Sequence, residues 1–131
     1  MKIGFTGSRE GMSQHQKEQF VLKMCELSPK EFHHGDCKGA DAEAHDIVRE
    51  FFPDVKIFVW PPTVKIMRAF KEGDVINEPM DYVHRDEKIV DSSEYLIGAP
   101  RITDVEQKRS GSWYTIRYAR RSNKPYVVLE R

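Results

Sequence analysis

The stretch IGFTGSREGMS, Ile3 to Ser13, follows the start methionine almost directly. An apolar run stops at a threonine and a glycine, a serine and an arginine come next, and a helical pattern begins at Met12. Two readings fit this strand–turn–helix. One is ordinary turn chemistry, in which glycine supplies backbone freedom. The other is an anion site: glycine allows close approach, amides at a helix N-terminus point outward, and the helix dipole favours negative charge there. Ser13 with Gln16 fits a capping box, which marks the start of the helix.

The same grammar recurs along the chain. Phe20, Val21, Met24 and Leu27 repeat at helical spacing until Pro29. Glu31 to Gly35 is a short strand, and Gly39 to Phe52 a helix packing through Ala40, Ala44, Ile47, Val48 and Phe51. Val55 to Trp60 is a strand ended by Pro61 and Pro62. Thr63 to Pro79 is read as a short helix, Val64 to Phe70, and a loop. Met80 to Ser92 is a helix, Tyr95 to Ala99 the fourth strand, and the polar Pro100 to Ser110 a mobile loop. A helix at Gly111 to Asn123 and a strand at Pro125 to Glu130 complete the chain. Five strands separated by helices predict one α/β domain over residues 1–131: a Rossmann-like, three-layer arrangement with a mainly parallel sheet and helices on both faces. In such sheets ligands bind beyond the carboxyl ends of the strands.

Composition narrows the function. Among 131 residues, Lys+Arg and Asp+Glu both number 21, which speaks against a general polyanion binder. Two cysteines, Cys25 and Cys37, fit a reducing compartment better than a disulfide framework. No apolar run approaches the ~18 residues of a membrane span, and Gly7 to Glu10 interrupt any signal-peptide core, so a soluble, cytoplasmic protein is expected. No metal-ligand spacing is visible, and no metal is expected.

Three small-residue turns follow predicted strands. The first carries Thr6, Gly7, Ser8 and Arg9; the second runs from Gly35 through Asp36, Cys37, Lys38, Gly39 and Ala40 to Asp41; the third is Arg109-Ser110-Gly111-Ser112. Thr6, Ser8, Ser110 and Ser112 add hydroxyls, while Arg9, Lys38 and Arg109 add charge suited to phosphate. There is neither a Walker A loop nor a G-x-G-x-x-G fingerprint, so an ATPase or an ordinary dehydrogenase fits poorly. Three such turns on one sheet edge point to a phosphate or a nucleotide.

GFTGSR, HGDCKGADAEAH, HRDEKIVDSSEYLIGAP, RSGSWYTIRYAR and KPYVVL, in this order, resemble the SLOG superfamily of Rossmann-like proteins. That group includes the lonely-guy phosphoribohydrolases, the DNA-processing protein DprA and small stand-alone relatives similar to YpsA. The resemblance implies strand order 3-2-1-4-5 and a nucleotide-derived ligand across the three turns. It implies ligand contacts at Gly7, Ser8, Arg9, Gly35, Lys38, Gly39, Asp41, Arg85, Gly111, Ser112 and Trp113. It also suggests a sensor or sequestering protein for ADP-ribose-like or other signalling nucleotides, a homodimer or higher homo-oligomer, and a phage or bacterial origin. One departure bears on activity. Lonely-guy enzymes carry a glutamate where this chain has Thr115, so N-glycosidic hydrolysis is the alternative, with Arg85 and one of Asp36, Asp41 or Glu10 as candidate catalytic groups. A single-stranded nucleic-acid binder like DprA is the second alternative, resting on Arg101, Lys108, Arg109, Arg117, Arg120, Arg121 and Lys124.

Each candidate also has a plain structural reading. Arg85 would make a surface ion pair with Asp81 or Glu87. Asp41 would cap the helix beginning at Ala42. His45 would be a hydrogen-bonded packing residue, and His33 and His34, in one strand, would face opposite sides. Cys37, beside Lys38, would have a lowered pKa. Trp60 would pack, and Trp113 would make a contact between helices or across an oligomer interface.

Overall fold

Strand β1 (Lys2–Gly7) occupies an interior position of the sheet because its residues are apolar or small on both faces. In the computed structural model, which describes residues 1–131, it lies between β2 (Glu31–His34) and β5 (Tyr95–Ala99), parallel to both. Beyond β2 come β3 (Lys56–Val59) and β4 (Val75–Ile76), and beyond β5 lies β6 (Tyr126–Val128). The order is β4-β3-β2-β1-β5-β6, all parallel.

The fold is therefore α/β with one sheet of six strands, which corrects the expected count of five and its order. The added strand is β4, pairing Val75 with Phe58 and Ile76 with Val59 at the sheet's edge. The five anticipated strands keep their relative order, with β4 outside them. The helix expected at Val64 to Phe70 is instead a single 3-10 turn at Lys65–Met67. A short amphipathic run stays helical only when its apolar face is buried. Here Ile66 is 74% and Phe70 58% exposed.

Helices α1 (Gln14–Leu27) and α2 (Ala40–Phe51) cover one face of the sheet. Phe20 and Met24 of α1, and Ala40, Ala44 and Val48 of α2, pack on Ile3, Phe5, Phe32 and Ile57. Helices α3 (Tyr82–Asp91) and α4 (Gly111–Arg121) cover the other face, where Ile89, Val90, Trp113, Ile116 and Ala119 surround Leu96. The capping box at the start of α1 is present. Ser13 Oγ accepts from the Gln16 amide and Gln16 Oε1 from the Ser13 amide, both at 3.0 Å. Gln16 is fully buried, and its Nε2 donates to the carbonyls of Pro100 and Leu129. No helix is long and apolar enough to cross a membrane.

Because every strand runs the same way, the turns after β1, β2 and β5 share one edge. The turn after β2 is fixed by Asp36, which is fully buried at φ 57°. Its Oδ2 accepts from Arg68 Nε at 3.0 Å, its Oδ1 from the Lys71 amide at 2.9 Å, and its carbonyl from the Ala69 amide at 2.7 Å. One residue thus staples the irregular crossover between β3 and β4 to the sheet edge. Removing one partner of a buried pair strands the other, so Asp36→Ala should destabilise the fold by about 3 kcal/mol or more, read as a lowered urea midpoint. A change below about 1 kcal/mol would remove this staple from the account.

Candidate functional site

A cavity of about 560 Å³ opens at the carboxyl edge of the sheet, between the turns after β1 and β2, α3, and the N-terminus of α4. From the first turn it collects Thr6, Gly7, Ser8 and Arg9, and from the second Gly35 and Asp41. Arg85 comes from α3, and Arg109, Ser110, Gly111, Ser112 and Trp113 come from the third turn. Three expected contacts, Asp36, Lys38 and Gly39, do not line it. The Asp36 carboxylate is spent on Arg68 and Lys71. The Lys38 side chain is exposed and its amide donates to the Met67 carbonyl at 3.0 Å. Gly39 buttresses the first turn: at φ 93°, a Cβ there would lie 2.2 Å from the Arg9 carbonyl oxygen.

The first turn offers one bare amide, that of Arg9; its neighbours are taken within the protein. The Ser8 amide donates to the Ala99 carbonyl, the Glu10 amide to Ser8 Oγ, and the Gly11 amide to the Ser8 carbonyl. The Ser8 carbonyl also receives the Ala40 amide at 2.8 Å, which locks α2 against the first turn. What this turn brings to the cavity is the exposed guanidinium of Arg9, 5.3 Å from the centre of the Tyr82 ring.

The third turn keeps its donors open. Ser110 caps α4, its hydroxyl accepting from the Trp113 amide at 3.2 Å. The amides of Gly111 and Ser112, at the start of the helix, have no protein partner. The exposed Arg101 and Arg109 stand beside them, Arg101 paired with Glu10 at 3.5 Å. Residues 100–110 form no helix or strand, yet they are tied down. Trp113 Nε1 donates to the Ile102 carbonyl, Arg117 to those of Gln107 and Lys108, and Arg120 pairs with Glu106. Arg117 and Arg120 are thus committed to internal contacts, as is Lys124, which donates to the carbonyls of Val90 and Ser93. Trp113 is buried in the core between α3, α4 and β5, so of the two expected contacts it makes the one between helices and is not on the surface for an oligomer interface.

The floor is built around Arg85. It is buried, not a surface residue pairing with Asp81 or Glu87. Its Nε pairs with Asp86 Oδ1 at 2.8 Å, its Nη1 donates to the carbonyls of Gly35 and Trp60, and both terminal nitrogens approach Cys37 Sγ at 3.6–3.7 Å. Burial raises the Cys37 thiol pKa, and Asp41 adds to the rise, so the lowered value expected beside Lys38 is corrected. Asp41 does not cap its helix: Gly39 is the cap, and Asp41 Oδ2 accepts from the Cys37 amide at 3.2 Å. Burial pushes the Asp41 carboxyl up to about 7, against the pull of Arg85 and the Cys37 amide. Asp86 is also raised by burial, with Arg85 opposing.

Behind the floor, His34 Nδ1 accepts from the Asp36 amide, so its Nε2 carries the proton donated to His45 Nδ1 at 3.0 Å. Burial holds both imidazoles in the neutral form. His33 lies on the opposite face, taking the Trp60 Nε1–H on Nδ1 and stacking on Phe58. No group of three His, Cys, Asp or Glu could hold a metal.

Sequence reasoning missed Tyr82, Asp86, Arg101 and Gln107 as lining residues. Tyr82 was accessible, since it precedes Arg85 by three positions and so shares its helix face. Asp86 carried no such signal, being adjacent to Arg85.

Comparison with family models, curated proteins and solved structures finds no match to the chain.

The raised Asp41 pKa makes stability depend on pH. The unfolded carboxyl ionises near pH 4 and the folded one near pH 7, so the folded state holds an extra proton between them. The stabilisation is full below pH 4, falls as pH rises through the folded value, and is level above it. The three neutral histidines act with opposite sign below their ordinary value. A comparison of Asp41→Asn with the parent isolates the carboxyl. Between pH 4 and pH 7.5 the variant should gain on the order of 4 kcal/mol relative to the parent in urea melts. A pH-independent difference would contradict the assignment.

Proposed function

We propose that the cavity binds a phosphorylated nucleotide or an NAD-derived nucleotide of the ADP-ribose or signalling type, and that the protein acts as a sensor or sequesters this ligand. The observation that carries the reading is the pair of unpartnered amides, Gly111 and Ser112, at the N-terminus of the 11-residue α4. They open on a cavity rimmed by Arg9, Arg101 and Arg109. A helix N-terminus with free donors and nearby guanidinium groups suits a phosphate. The volume lies within the roughly 300–1,000 Å³ of small-molecule sites, and the half-buried Tyr82 ring offers a surface for a base. The resemblance to the SLOG superfamily supports the same ligand class, and we place the chain with that group on this basis.

Thermal melts with AMP, ADP-ribose and NAD test the reading. A ligand at ~100 times its dissociation constant adds about 2.7 kcal/mol, or roughly 10 °C for a chain of this size. Arg109 is exposed and forms no ion pair in the protein. Arg109→Ala should therefore leave the unliganded melt within about 1 °C while weakening binding at least tenfold. No shift with any of the three compounds would refute the proposal.

A second reading, N-glycosidic hydrolysis, is favoured by one observation. Asp86, buried on the cavity wall, stands beside the Thr115 hydroxyl, at the position where the lonely-guy enzymes carry their glutamate. On this reading AMP would release free adenine, and Asp86→Asn would abolish the release. Intact AMP after prolonged incubation with the parent protein would eliminate it.

A further inference from the structure

The Asp41 Oδ1 atom is the one buried side-chain nitrogen or oxygen in the chain that has no hydrogen-bond partner. Its sister atom is fixed by the Cys37 amide, so the carboxyl group cannot turn freely to find one. The residue is 5% exposed and lines the cavity. Arg85 is not within ion-pairing distance of it, because its guanidinium is engaged by Asp86 and two carbonyls. Native structures rarely leave a buried acceptor unpaired, and where they do the vacancy needs an explanation.

We propose that Asp41 determines specificity: Oδ1 accepts a hydrogen bond from a hydroxyl or amino group that the ligand carries in addition to its anionic group. This deepens the nucleotide reading and rests on it. The cavity then reads two features, an anion at the N-terminus of α4 and a donor at the floor. In its ionised form the carboxyl offers lone pairs and no proton, so that form takes a donor at the floor position. Reaching Oδ1 requires a small shift of the side chains that cover it. A sugar hydroxyl and an exocyclic amine share this chemistry, and the choice of probes separates them.

The experiment titrates the parent and Asp41→Asn with methyl phosphate, ribose 5-phosphate, IMP and AMP by calorimetry. In the variant the side-chain oxygen stays on the Cys37 amide, which turns the NH₂ group toward the cavity and reverses the polarity offered to a ligand. The parent should prefer a donor-bearing phosphate over methyl phosphate by about tenfold or more, as hydrogen bonds to a charged acceptor do. Asp41→Asn should abolish most of that preference while leaving methyl phosphate affinity within about twofold. A preference already present with ribose 5-phosphate assigns a hydroxyl; one present with AMP but not with IMP assigns the amine.

The parent alone gives a second measurement. The charged and titratable groups around Asp41 are Arg85 and Asp86 from α3, Asp36 after β2, and Cys37 in its own turn. A donor favours the ionised carboxyl, so the ratio of AMP to methyl phosphate affinity should rise from pH 6 to pH 8, the shared phosphate ionisation cancelling. The ratio should be flat in the variant. If all four compounds bind and their ratios are the same in both proteins, the Asp41 inference is overturned and the anion reading stands. If none binds the parent, both fall.

Discussion

A guanidinium placed under the edge of a sheet must find acceptors on every side, because an uncompensated buried charge costs several kcal/mol. Arg85 meets that demand by reaching across the fold. From α3 it bonds the carbonyl of Gly35, just past β2, and that of Trp60, just past β3, while Asp86 neutralises it from the same helix. One side chain thereby joins a helix on one face of the sheet to the ends of two strands. The approach is close enough that a Cβ on Gly35 would lie 2.4 Å from Nη1, which is why the residue after His34 has no side chain. Tyr82, one turn earlier in α3, is held over the floor with both Arg85 and Arg9 near its ring. The shape of the cavity follows from this anchorage.

The three turns divide the work. The first two bind each other: the Ser8 carbonyl takes amides from Gly11 and Ala40, and Gly39 fits against the Arg9 carbonyl. A helix must dispose of its first N–H groups somewhere, and α2 gives that of Ala40 to the protein. Helix α4 is preceded by a long irregular segment that supplies a side-chain cap for Trp113 and nothing for Gly111 or Ser112. The first two turns are therefore locked to each other, while the third presents two adjacent free donors beside Arg109. Four arginines line the cavity against three acids, Glu10, Asp41 and Asp86. Burial drives Asp41 toward its neutral form, so the balance tilts further to positive.

Much of this could be read from residue order. Alternating apolar runs and helical periods specified the five longer strands, the four helices and the capping box at Ser13, since these depend on local pattern and local caps. Strand β4 could not be read, because two residues carry no periodicity and its pairing depends on Asp74, whose Oδ2 accepts from the Ile57 amide. The turns were legible as a group because a parallel sheet sends every strand's carboxyl end to the same edge. Which of their amides remain free was not legible. That depends on bonds such as Lys38 to Met67 and Ala40 to Ser8, between positions the sequence does not relate. The surface ion pair offered as the plain reading of Arg85 failed for a similar reason: Asp81 and Glu87 are local partners, and a charged residue is exposed by default.

The floor also explains why so many titratable groups can share a small volume. Cys37, Asp41, His34 and His45 are each pushed by burial toward the neutral form, the thiol and the carboxyl upward and the imidazoles downward. Neutral forms avoid the desolvation cost that charged neighbours would incur in a low-dielectric layer. Arg85 cannot follow them, since a guanidinium does not give up its proton under these conditions. Its single charge is therefore the fixed point against which the others adjust, and Asp86 is the group that answers it directly. Asp41 is close enough to feel that charge and too far to pair with it, which leaves its carboxyl balanced between its two states near neutral pH. A group so balanced responds to whatever next enters its surroundings, and Asp41 is one of the residues that line the cavity.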